Sequence, residues 1–408
     1  MQAGFLALFG VLEAGLLPRR ASVRLAHRPR SPSRIPGLGG FCKWMEEIVR
    51  KLWLLTMALI ALPASGQAPA TSTVPEIAFD SVPNPLALPK DMNFGEVAGI
   101  AVDSKKNIYV LHRGNTSGPA YGAAAAQLLE FDSKGQFMRE IGARLYGWSY
   151  AHAVRIDRND NIWVADKGSD VVVRFNQQGR VTMVVGRKAE ASDETAHPLE
   201  HPKPPLPPID GYFRQVTDMT WDSDGNTYIS DGYINSRVAK LDKDGNWVGS
   251  WGEPGSGPGQ FNNLHSIASD NASNIYVADR GNSRVQVFDT SGKLLRTLRI
   301  DVPVPPGARP AIGNPTAPGA TPGPWAAPGA PWALCITPGP KQYLYVADAF
   351  PGRIYKMTLD GKVLGWLGGA GKTMKKFGGI HEMACPSENE LYVAELLNWR
   401  IQKLILHP

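Results

Sequence analysis

Asp270-Asn-Ala-Ser-Asn-Ile-Tyr-Val-Ala-Asp279 opens on a turn residue, closes on a carboxylate and carries a short apolar strand between them. The same order recurs in Asp222-Ser-Asp-Gly-Asn-Thr-Tyr-Ile-Ser-Asp231 and in Asp157-Arg-Asn-Asp-Asn-Ile-Trp-Val-Ala-Asp166. Looser copies end at His112, Asp348 and Glu395, which makes six. After the copies ending at Asp231 and Asp279 comes Arg-Val, a strand, an Asp-x-x-Gly turn and a further strand. One example is Ser236-Arg-Val-Ala-Lys-Leu241, Asp242-Lys-Asp-Gly245 and Trp247-Val-Gly-Ser-Trp251. Four short antiparallel strands per copy form a propeller blade, and propeller blades recur every ~40–50 residues. The expected fold class is therefore all-β, a six-bladed β-propeller of four-stranded blades.

Two intervals between copies are long, and both hold proline-rich stretches, near residues 189–210 and 301–331. A strand cannot lose so many ladder donors, so these stretches are expected as loops on the propeller surface. The propeller is expected over residues 95–408. The segment 69–94 precedes it, and residues 76–90 within that segment can supply a strand that closes the ring and removes an exposed sheet edge.

The 408 residues are 43% hydrophobic and 20% charged, with 43 Gly and 34 Pro, a globular composition that excludes a coiled coil, a collagen-like chain and wholesale disorder. The formal charge of +6 falls entirely within residues 1–66. The remainder is neutral, so the basic balance gives no reason to expect a nucleic-acid partner. Leu52–Leu62 is an apolar run preceded by Arg50-Lys51 and followed by Ala64-Ser65-Gly66-Gln67-Ala68. That order reads as a signal peptide over residues 45–68 starting at Met45, with residues 1–44 a mis-called or extended N-terminus. The run is shorter than a stable membrane span requires. The chain is expected to be exported, to a periplasm or out of the cell. Of three cysteines, Cys42 precedes the apolar run. Cys335 and Cys385 lie in apolar strand segments, and two outcomes stay open for them, one disulfide or two buried thiols.

Aligning the copies on their turns gives a shared position in the first strand of each blade, occupied in order by Ala98, His152, Thr217, His265, Ala333 and His381. First strands line a propeller's channel, so histidines on alternate blades of six would stand about 120° apart and converge on one axis. Three imidazoles without a fourth protein ligand make a catalytic zinc site with one position open. Two further residues depart from the repeat. Arg113 in Val110-Leu-His-Arg113 is read as standing where other blades end a strand on a carboxylate, and Tyr233 enters the loop after Asp231. A tyrosine beside a metal and an arginine can titrate below its usual ~10 and act as a base.

The Arg-Val and Val-Ala-Asp elements resemble NHL repeats. More specifically, Val110-Leu-His-Arg113-Gly-Asn, His152-Ala-Val, Ser230-Asp-Gly-Tyr233-Ile-Asn-Ser-Arg, Gly259-Gln-Phe-Asn-Asn-Leu-His265-Ser-Ile, Val277-Ala-Asp-Arg280 and Phe377-Gly-Gly-Ile-His381-Glu resemble the peptidyl-α-hydroxyglycine α-amidating lyase family, in the same order. The resemblance implies zinc on His152, His265 and His381, Tyr233 as base with Arg113 beside it, and Arg280 near the site. It implies cleavage of a small-molecule or peptide substrate ending in α-hydroxyglycine to an amide and glyoxylate. It further implies a structural calcium on the backbone carbonyls of Ile100 and Val154 and the carboxylate of Glu382, where the family has the shorter aspartate. Family prolines before the ligand histidines are replaced here by Ala151, Leu264 and Ile380. The competing expectation is an exported NHL-repeat propeller that acts as a non-catalytic binding module.

Overall fold

The repeat folds by a local rule. Asp222 accepts the backbone N–H of Asp224 at 3.0 Å, that of Asn226 at 2.9 Å and the Asn226 side-chain amide at 2.8 Å. Asp103, Asp157 and Asp270 repeat the set. The aromatic residue two positions after the asparagine reaches back to the same carboxylate, through Tyr228 Oη at 2.8 Å or Trp163 Nε1 at 2.9 Å. The Asp-x-x-x-Asn-x-Tyr/Trp spacing thus records a closed turn in which one carboxylate satisfies four donors. At the far end of the strand a second acid accepts the N–H that leads into the inner strand and grips the next strand's arginine. Asp279 does so with Asn262 N and Arg284 Nε, both at 2.7 Å, and Glu395 with Gly378 N and Arg400 Nε, both at 2.7 Å.

The computed structural model describes residues 74–114, 126–187, 207–308 and 326–407. The expected leader at 45–68, residues 1–44 and much of both proline-rich stretches lie outside these residues. Six four-stranded antiparallel sheets make up a propeller, and the described residues hold no α-helix. The inner strands are Val97–Val102, Ala151–Ile156, Asp218–Trp221, Leu264–Ser269, Pro331–Ile336 and Ile380–Ser387, blades one to six. Each packs against the inner strand of the next blade, and the sixth returns to the first. Ala78–Val82 is the outer strand of blade six, paired antiparallel with Arg400–His407, so the ring is closed by strands from opposite ends of the described chain.

The apolar core is divided among the blade interfaces. Trp148, Val154 and Phe175 pack between blades one and two with Leu128 and Leu111, whereas Tyr228, Val238, Phe261 and Ile267 pack between three and four. Each of the six interfaces has such a cluster, because strands buried on both faces must place apolar side chains toward both neighbours. Cys335 and Cys385, on the inner strands of blades five and six, form a disulfide with a Cα–Cα distance of 6.1 Å. Among the described residues no helix is long and apolar enough to cross a membrane.

A candidate metal centre and its cationic rim

The histidine position is a break in the ladder. Pairing shifts register between Ala151 and Ala153, between Leu264 and Ile267, and between Ile380 and Glu382. Such a bulge re-aims the intervening side chain, here into the channel. The three rings meet there with centroids 4.5 to 4.9 Å apart, and one nitrogen from each lies within 4.8 Å of the others. Each Nδ1 donates to a carbonyl of a neighbouring blade: His152 to Thr217 O at 2.7 Å, His265 to Trp332 O at 2.6 Å and His381 to Ala98 O at 2.7 Å. Thr217 and Ala98 occupy the histidine register of the intervening blades, so the blades without a ligand orient the ligands of the others.

A carbonyl only accepts, so these bonds fix the Nδ1–H tautomer and leave the lone pair of each ring on Nε2. Burial holds all three imidazoles well below their ordinary pKa, and neighbouring cations add to the effect, so they are neutral. His265 Nε2 is buried without a hydrogen-bond partner, and His152 Nε2 lies 3.3 Å from Tyr233 Oη. Three neutral, backbone-oriented imidazoles with an orphaned nitrogen are a donor set that fits zinc with one open position.

Around this cluster the residue that follows each strand end forms a second register: Arg113, Lys167, Gly232, Arg280, Ala349 and Leu396. The sequence reading of Arg113 needs correction here. His112, not Arg113, takes the carboxylate's place, its Nδ1 accepting the N–H groups of Gly95 at 3.3 Å and Gly114 at 3.1 Å. Burial pushes the His112 ring down to about 4, which keeps it a neutral acceptor. Arg113 therefore stands in register with Lys167 and Arg280. That alignment is the signal that could have found Lys167, which the sequence reading missed.

The three cations converge on Tyr233. Lys167 Nζ lies 3.9 Å from the centroid of its ring and 4.9 Å from that of Tyr150. The Arg280 guanidinium stacks 4.3 Å over Trp332 and 5.6 Å from the Tyr233 ring, and its Nε is buried without a hydrogen-bond partner. Arg113 donates to Ala151 O at 2.9 Å, pairs with Glu96 at 2.9 Å and stacks 3.9 Å over Tyr150. Burial alone would push the Tyr233 phenol up, but Arg280, Lys167 and Arg113 together outweigh it and hold the phenol below its ordinary pKa. Gly232 makes the placement possible, since a Cβ there would meet Leu264 O at 1.9 Å. On blades five and six the rim is apolar: Ala349 and Leu396 pack with Ala98 and Trp332.

The expected calcium ligands do not fit that ion. Ile100 and Val154 each donate a backbone N–H to Glu382 Oε2 at 3.1 Å. The other carboxylate oxygen faces Arg155 Nε at 3.0 Å. A carboxylate already holding two amides and facing a guanidinium is not a free cation ligand.

Residues 261–288 match the NHL repeat. The chain is 30% identical over 222 residues to peptidyl-glycine alpha-amidating monooxygenase of Mus musculus, a match that covers 49% of this chain and 21% of that protein. It is 28% identical over 228 residues to a probable peptidyl-alpha-hydroxyglycine alpha-amidating lyase of Caenorhabditis elegans, covering 52% of this chain and 60% of that one. It is also 29% identical over 220 residues to NHL repeat-containing protein 3 of Mus musculus, covering 50% and 55%. The matched region thus spans about a fifth of the first relative and little over half of the other two. Among solved structures, a gluconolactonase of Xanthomonas campestris shares the fold at a TM-score of 0.50 and 13% identity, over 83% of this chain and 98% of that one. The chain is a six-bladed propeller in which one stretch, residues 261–288, matches the NHL repeat. In sequence it is similar to amidating proteins and to one relative named only for its repeats.

Proposed function

We propose that this chain is a zinc-dependent carbon–nitrogen lyase that cleaves a peptidyl-α-hydroxyglycine, or a related carbinolamide, to an amide and glyoxylate. The observation that carries this reading is the cluster of three neutral imidazoles with Tyr233 Oη 3.3 Å from one coordinating nitrogen. Its support from relatives is the similarity to a protein named as an α-hydroxyglycine amidating lyase.

His152, His265 and His381 would hold the zinc, which supplies Lewis acidity at its open position. Tyr233, kept acidic by the surrounding cations, takes the proton of the substrate hydroxyl. As that C–O bond becomes C=O, the C–N bond breaks, and the departing amide nitrogen takes up a proton to complete the amide. Arg280 offers its unpartnered Nε–H to the substrate carboxylate, and Lys167 adds charge on the same side. Arg113, fastened by Glu96 and Ala151 O, acts chiefly on the phenol.

Trp332, Ala349 and Leu396 suit an apolar portion of the substrate. Export belongs to the same proposal, and the Cys335–Cys385 disulfide suits an oxidising compartment. The test is glyoxylate release from an N-acyl-α-hydroxyglycine by zinc-loaded protein. Activity lost in Tyr233→Phe with zinc retained supports the reading. No glyoxylate from the wild type, with zinc bound, favours the binding module.

A further inference from the structure

Three residues past His152, Arg155 turns its guanidinium into the channel and meets four other blades. Nε and Nη2 form a two-pronged pair with Asp218 on blade three, at 2.8 and 2.6 Å. Nη2 also reaches Ser266 Oγ on blade four at 3.3 Å and Leu334 O on blade five at 3.4 Å. Nη1 donates to Met383 O on blade six at 3.2 Å, and Glu382 Oε1 stands 3.0 Å from Nε. Glu382 carries the network back to blades one and two through the N–H groups of Ile100 and Val154. Asp218 is held in turn by Ser266 Oγ at 2.8 Å and by the N–H groups of Met219 and Ile267 at 2.8 and 3.1 Å.

Two carboxylates, two carbonyls and a hydroxyl converging from different strands form the oxygen cage that a hard divalent cation takes. Here a side-chain cation fills it. Gly99 lets Glu382 close on its neighbours, since a Cβ there would meet Glu382 Oε2 at 2.6 Å and Val154 N at 2.9 Å.

We infer that Arg155 is a built-in replacement for an axial metal ion, so that this propeller ties its six inner strands together with a guanidinium and needs no calcium. The inference concerns stability and is independent of the reaction proposed above. A guanidinium suits the position because its fork matches Asp218 in two bonds and leaves further N–H groups for the carbonyls. Unlike an ion, it cannot dissociate.

The test uses the full chain, zinc-loaded, in calcium-depleted buffer that contains zinc, with and without millimolar calcium chloride. For the wild type we expect the same Tm in both and no stoichiometric calcium by elemental analysis. Arg155→Ala leaves two carboxylates facing each other, so its Tm should fall by roughly 10 °C and recover in part when calcium is added. Arg155→Lys keeps a charge and should fall less. A wild type that retains one calcium per chain, or whose Tm rises with calcium, overturns the inference even if Arg155→Ala does not fold.

Discussion

Tyr233 gathers most of the chemistry proposed for the site into one side chain: a phenol packed between the His152 imidazole, Lys167 and Arg280. Tyr233→Phe keeps the packing and removes the proton acceptor, so glyoxylate release should fall by about 10²-fold or more with zinc content unchanged. Lys167→Met tests the cations. Removing a positive charge beside the phenol raises its pKa, so the acidic limb of the pH–rate profile should move to higher pH. Lower activity at neutral pH, by about tenfold for each unit of that move, should accompany it. A profile that does not move would show that Lys167 has no influence on the base. The histidines were legible in the sequence because a repeat gives each residue a register, and three of one kind in alternate blades stand out. Lys167 was not, because Arg113 was compared with the strand-end acids when its true equivalents lie one residue later.

The strand-end acid links each element to its site residue. Asp279 is buried, holds Asn262 N, Asn282 and Arg284, and immediately precedes Arg280. Asp279→Ala strips the buried Arg284 of its carboxylate, a loss on the order of 3–5 kcal/mol. Chemical denaturation should show that loss, and activity should fall further than Asp279→Asn produces, since asparagine keeps an acceptor. Equal stability of Asp279→Ala and wild type would contradict the role given to this residue. Blade architecture was readable because these bonds are local: turn acid, asparagine and aromatic lie within six residues. Bulges at the histidines were not readable, since a register shift depends on how the partner strand sits.

Across the whole molecule, what escaped the sequence are contacts between blades. Cys335 and Cys385 are separated by 50 residues and meet only because inner strands five and six are neighbours. A loop of that length makes the bond worth about 4 kcal/mol, so Cys335→Ser should lower Tm under oxidising conditions and leave it unchanged relative to the reduced wild type. Arg155 likewise reads as an ordinary strand arginine until Asp218, Leu334 and Met383 are brought round the ring. The position expected to hold calcium hid its neighbour in the same way, since the guanidinium that faces Glu382 comes from another blade. The ring itself, closed by Ala78–Val82, makes three distant histidines into one centre.

Elemental analysis of the purified protein beside His265→Ala tests that centre most directly. We expect one zinc per wild-type chain and none in the variant, with both showing the same β-sheet circular dichroism. A wild type that takes up no zinc when it is supplied would contradict it.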